Sequence, residues 1–150
     1  MTITVPIAEL TSLTGKDLGF TEYFEVSQER INTFADATDD HQWIHVDPER
    51  AKDGPFGQAI AHGFLTLSLV IPLWGQLLDV PDATTRVNYG LDRVRFVSPV
   101  PAGSRIRLSA TVAAVTEVKG GFQLEVDHVV EVEGAPKPAV VTRSLYRFYV

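Results

Sequence analysis

From Gly63 to Leu78 the chain is apolar on nearly every face of the helix it would form: Phe64, Leu65, Leu67, Leu69, Val70, Ile71, Leu73, Trp74, Leu77 and Leu78. A helix with one apolar stripe sits on a core, whereas a helix apolar all round has to be surrounded. Pro72, Gly75 and Gln76 interrupt the segment, and it is too short to be surrounded by lipid. The rest of the chain must therefore wrap it. Pro72 is expected to kink this helix or mark its middle, with Asp79 and Pro81 ending it.

The second half of the chain supplies the wrapping. Val87, Tyr89, Leu91, Val94 and Phe96 suggest a strand broken near Gly90. Ile106, Leu108, Ala110, Val112 and Ala114 alternate with polar residues, and so do Leu124, Val126, His128, Val130 and Val132. Gly120-Gly121 reads as the turn between these two, and residues 139–149 as a last strand after a loop at 134–138. Alternation of this kind means one face packed and one face wet, as in antiparallel sheets. The expected fold is α+β: one long buried helix and about five antiparallel strands curled round it, a strand count read from the same periodicity. A curled sheet leaves exposed edges, and pairing with a second copy would cover one, so a homodimer is expected.

The first half is less regular. Gly19 to Val26 suggests a strand. Ser27 is placed as an N-cap, Glu29 suits the helix dipole, and Ser27 to Ala37 reads as a short amphipathic helix. Thr38 to Val46 has no period and is expected to be loop. Asp47-Pro48 starts a short helix that ends near Gly54-Pro55. With 150 residues, the chain 1–150 is expected to be one domain.

The composition closes off several function classes. The chain has no cysteine, so a disulfide scaffold, a thiolate metal site and a cysteine nucleophile are excluded. Thirteen basic residues against 19 acidic ones leave a net charge of −6, and no Lys/Arg cluster offers a face for phosphates. Nucleic acid is therefore not an expected partner. Met1 to Pro6 contains no basic-then-apolar leader, and no membrane partner and a cytoplasmic address are expected.

Three of the four histidines, His41, His45 and His62, lie within 22 residues and sit near Asp39, Asp40 and Asp47. Histidine titrates near neutrality, and a nearby carboxylate can orient it and shift its pKa. A His and an Asp beside an apolar helix are what general acid–base chemistry needs. The residues alone leave a plainer reading open, because Asp-rich loops also cap helices. His128 falls on the apolar face of a strand and reads as a core or interface residue. His41 and His45 have helical metal-pair spacing, but Gln42 stands where the metalloprotease pattern has Glu, so no metal is expected. There is no nucleophile elbow, phosphate loop or dinucleotide fingerprint.

The stretch from Phe34 to Ala51, which contains Asp40-His41-Gln42-Trp43-Ile44-His45, resembles the hydratase-2 motif of MaoC-like (R)-specific enoyl-CoA hydratases. So do Ile60-Ala61-His62-Gly63-Phe64-Leu65 and the later Val94-Arg95-Phe96-Val97-Ser98-Pro99-Val100 with Gly103. The resemblance implies a hot-dog fold and the reversible addition of water to a trans-2-enoyl-CoA, giving an (R)-3-hydroxyacyl-CoA. It puts the acid–base pair on Asp40 and His45 and the thioester-binding amide on Gly63. Gln42, Trp43 and His62 become supporting or pocket residues. No cofactor is implied, since CoA belongs to the acyl-CoA substrate. Three positions depart from the common pattern: Asp39 replaces Gly, Gln42-Trp43 replaces Asn-Pro, and Ile71 replaces a Ser. A hot-dog acyl-CoA thioesterase and a non-catalytic acyl-CoA-binding module are the alternatives.

Overall fold

The computed structural model describes all 150 residues, Met1 to Val150. A two-residue strand β1 (Ile3–Thr4) leads into a 3-10 helix (Ile7–Leu13) that periodicity did not reveal. Ile7, Leu10 and Leu13 are its buried residues, and a three-residue repeat suits a helix with three residues per turn. The strand expected at 19–26 is two strands, β2 (Asp17–Phe20) and β3 (Phe24–Glu25). Between them Thr21 exchanges hydrogen bonds with Leu108, through its own N–H at 2.8 Å and its hydroxyl at 3.0 Å.

Helix α1 (Gln28–Thr38) starts where the N-cap predicted: the Ser27 hydroxyl accepts from the Arg30 N–H at 3.1 Å. It ends on Asp39, the one non-glycine residue with positive φ, at 60°. The resemblance puts glycine at this position. The position is a left-handed helix cap, and Asp is among the few other residues that tolerate it. The expected loop from 38 to 46 contains a single helical turn, α2 (Trp43–Val46). Four residues are too few to show a period. The turn is braced from outside, by Gln28 Nε2 donating to the His45 carbonyl at 2.7 Å. Helix α3 (Pro48–Ala51) then follows the Asp47 cap as expected, with the Asp47 carboxylate accepting from the Arg50 N–H.

The apolar segment is helix α4 (Gly63–Leu77), which runs through Pro72. A short strand β4 (Leu78–Asp79) pairs in parallel with β1. Four long strands complete the chain: β5 (Thr85–Phe96), β6 (Arg105–Val118), β7 (Gly121–Val132) and β8 (Val140–Tyr149). The main sheet is antiparallel in the order β2-β6-β7-β8-β5, with β3 also on β6. The break expected near Gly90 is a register shift between Asn88 and Gly90.

The core forms between α4 and the sheet. Leu65, Leu69, Val70, Leu73, Trp74 and Leu77 meet Ile106, Leu108, Val112, Leu124, Val126 and Val130. Each such side chain contributes about 1.5–3 kcal/mol by leaving water. This is the hot-dog arrangement. One expectation needs correcting. Within one chain α4 is covered on one side only, and Phe64 and Ile71 on its other side stay exposed at 68% and 37%. The sheet of one copy is not wide enough to close round the whole helix.

His128 is fully buried, as its place in the strand pattern implied. Its Nδ1 donates to the Ser109 carbonyl at 3.1 Å, and its Nε2 accepts from the Tyr146 hydroxyl at 2.8 Å. Trp74 stacks on Tyr146 and meets His128 edge-on. Burial pushes the His128 pKa down to about 4.

Candidate active site

Two connections bring the candidate residues to one place. The αL turn at Asp39 leads off α1, and the single turn α2 follows Asp40 closely. The Ile60 N–H donates to the Ile44 carbonyl at 3.0 Å, which ties the connector before α4 to α2. As a result Asp40, His45 and His62 offer side-chain atoms that lie within 4.8 Å of one another.

The two histidines are fixed by carbonyls. His45 Nδ1 lies 2.7 Å from the Ile60 carbonyl oxygen, which can only accept. Nδ1 therefore carries the proton of the neutral ring, and Nε2 keeps a bare lone pair. His62 Nε2 lies 2.9 Å from the Asp40 carbonyl oxygen and donates to it by the same reasoning. The remaining His62 nitrogen, Nδ1, is buried without a partner. The two rings stack with centroids 4.0 Å apart, and Phe34 closes the far side of His62 at 4.9 Å. The His45 pKa is lowered, first by burial and then by the neighbouring His62, against the raising effects of the Ile60 carbonyl and Asp40. His45 thus stays neutral, and able to accept a proton, below the range of a free imidazole.

A divalent ion would meet the right residue types here, and His45 would offer it the bare Nε2. His62 has no accessible lone pair to give: its Nε2 donates to the Asp40 carbonyl and its Nδ1 is sealed from solvent. Bringing His62 into a metal site would break the bond that holds Asp40.

A cavity of about 310 Å3 opens beside the cluster, lined by His45, Ile60, Gly63, Thr66, Phe96 and Val97 among others. Its floor is the start of α4. Neither the Gly63 nor the Phe64 N–H has an acceptor in the chain, and the first engaged amides are Leu65 and Thr66, both on the His62 carbonyl. These free donors lie at the positive end of the helix dipole. A Cβ at Gly63 would stand 3.0 Å from the Phe96 ring, so only glycine lets that ring close over the helix end without displacement.

Of the candidates, His45 and Gly63 line the cavity, Asp40 stands beside His45 in the cluster, and the others stand off. Trp43 is half-buried, packs against Gly54 and lies under the Arg50 guanidinium at 4.3 Å, so it is neither pocket wall nor core. Gln42 is exposed and caps nothing with its side chain. His62 supports Asp40 and His45 from behind rather than lining the cavity. His41 is exposed and pairs with Asp36 at 2.9 Å. Ile71 points away from the site, on the exposed face of α4. Sequence reasoning missed Thr66 and Phe96. The signal for Thr66 was a polar residue three places after Gly63, on the same face of an apolar helix.

The chain resembles known proteins in sequence and in structure. The family profile described as MaoC like domain matches residues 9–134. The chain is 48% identical over 143 residues to 3-hydroxyacyl-thioester dehydratase Z of Mycobacterium tuberculosis, covering 95% of each chain. It is 45% identical over 138 residues to nodulation protein N of Rhizobium leguminosarum bv. viciae, covering 89% of this chain and 85% of that one. In structure it resembles an unliganded R-hydratase from Pseudomonas aeruginosa, with TM-score 0.76 and 22% identity over 96% of this chain and 85% of that one. At that identity the likeness speaks to the fold.

Proposed function

This chain belongs to the MaoC-like dehydratase family and is a hydro-lyase, and from that premise we propose that it is an (R)-specific enoyl-CoA hydratase. It adds water reversibly, and on one face, to a trans-2-enoyl-CoA to give an (R)-3-hydroxyacyl-CoA. Asp40 and His45 are the acid–base pair. The observation that carries this reading is the bare Nε2 of His45, fixed by the Ile60 carbonyl at the wall of a cavity whose floor is a helix N-terminus.

Water is a poor nucleophile, so His45 Nε2 takes one of its protons as the oxygen bonds to C3. The C2=C3 electrons move onto the thioester, whose oxygen becomes an enolate oxyanion. The Gly63 amide donates to that oxygen, and a preorganised donor of this kind is worth roughly 3 kcal/mol. A proton from the Asp40–His45 pair then goes to C2, so the pair ends as it began. His62 acts through others: its bond to the Asp40 carbonyl and its stack on His45 hold the pair in register. No cofactor is called for, because CoA is part of the substrate.

No helix is long and apolar enough to cross a membrane, and a cytoplasmic address is part of this reading. So is a homodimer. Strand β5 is a 12-residue sheet edge that exposes Val87, Tyr89 and Leu91, beside the open α4 residues Phe64 and Ile71. A second copy is the simplest cover for an apolar edge. Light scattering on the purified protein is expected to give twice the 16.5 kDa chain mass, and a stable monomer would count against the pairing.

The activity itself is tested with crotonyl-CoA and longer enoyl-CoA thioesters. Absorbance of the conjugated thioester should fall without release of free thiol. Thiol release would point to a thioesterase, and tight binding with no turnover to a binding module.

A further inference from the structure

Thr66 is 2% exposed and lies one turn into α4, on the same side as Gly63. It is one of the residues lining the cavity. Helical Ser and Thr hydroxyls usually bond back to the carbonyl four residues earlier, as Thr33, Thr38 and Ser68 do here. The Thr66 hydroxyl does not, and it makes no hydrogen bond within the chain. Nor is it sealed in the core, because the only fully enclosed side-chain polar atom without a partner is His62 Nδ1. It is a polar atom in a buried residue, left open to the cavity alone.

Its direction follows from helix geometry. Side chains on an α-helix lean toward the N-terminus and lie over the preceding turn. Three residues back from Thr66 is Gly63, whose N–H is free. The Thr66 side chain and the Gly63 amide therefore border the cavity one turn apart at the same end of the helix. Leaving a hydroxyl unpaired in an apolar helix is unfavourable. Valine would fill the same volume without that cost, so the hydroxyl calls for a partner from outside the chain.

We infer that Thr66 is a substrate-binding residue whose hydroxyl donates a second hydrogen bond to the thioester oxygen, beside the Gly63 amide. This rests on the hydratase reading given above and extends it. The contact exists in the ground state and strengthens as negative charge develops on the oxygen, so its loss should lower kcat more than it raises KM.

The test compares Thr66→Val and Thr66→Ser with the wild type, using crotonyl-CoA for turnover and butyryl-CoA, which cannot be hydrated, for binding by calorimetry. Thr66→Val keeps the shape and removes the hydroxyl. It is expected to keep its melting temperature and lose about 100-fold in kcat/KM, mostly in kcat. It should bind butyryl-CoA about fivefold more weakly. Thr66→Ser, which restores the hydroxyl, should recover to within roughly threefold of wild type in both. Wild-type rates and affinity in Thr66→Val would overturn the inference, as would a Thr66→Ser no better than Thr66→Val. If the wild type binds butyryl-CoA but hydrates nothing, the hydratase reading fails, and the affinities alone decide the role of Thr66.

Discussion

Replacing His45 by Gln is expected to lower kcat/KM for crotonyl-CoA hydration by roughly 10²- to 10⁴-fold, the usual worth of a positioned proton acceptor. Glutamine can still donate toward the Ile60 carbonyl that His45 Nδ1 now contacts. It offers no basic nitrogen in place of Nε2. Asp40→Asn is the complementary change and is expected to be as damaging. Asp40 is exposed and its carboxylate holds no hydrogen bond within the chain, so the fold should not notice. In the wild type, kcat/KM should fall as pH drops, because protonated His45 cannot accept a proton. Burial lowers the His45 pKa below 6.5, so this acid limb should lie below that of a free imidazole. Either variant keeping the full rate would remove the pair from the mechanism.

The second large effect concerns stability. Between about pH 6.5 and pH 4 the fold is expected to lose roughly 3 kcal/mol at His128 alone, at about 1.4 kcal/mol per unit of pKa difference. The unfolded chain takes up a proton there near pH 6.5, and the folded chain only near pH 4. Falling pH therefore favours the unfolded state. The contribution is complete above pH 6.5 and gone by about pH 4. Inside the core a charged ring could not keep its acceptor role toward the Tyr146 hydroxyl. Urea unfolding at a series of pH values should show a steeper fall for wild type than for His128→Gln. Parallel curves would mean that His128 does not titrate with unfolding.

The sequence made some of this legible and hid the rest for physical reasons. Long periodic segments declared themselves: α4 by its apolar faces, and β6, β7 and β8 by alternation. The caps at Ser27 and Asp47 were legible because a hydroxyl or carboxylate at a helix start has one obvious use. The turn α2 was hidden because it depends on a side chain, Gln28, from another helix. Asp39 departs from the family pattern in residue type, and only the backbone shows that it holds the left-handed cap a glycine would hold there. Asp40, His45 and Gly63 could be named from sequence, but nothing there showed that His45 Nδ1 is tied to Ile60 or that Trp43 turns to Arg50. Those contacts depend on how the connectors pack, which no local pattern encodes. The open face of α4 was misread for a related reason: a fully apolar helix says that it will be covered, not by which chain.

Hydration of crotonyl-CoA in D2O, with the product read by NMR and chiral analysis, tests the central claim most directly. Asp40 lies beside His45, which lines the cavity, so the hydroxyl at C3 and the deuteron at C2 should arrive on the same face of the double bond. The expected product is the (3R)-hydroxy thioester carrying one deuterium at C2, in the syn relation. A (3S) product, or deuterium spread over both C2 positions during the first turnover, would contradict a single Asp40–His45 pair as the source of both groups.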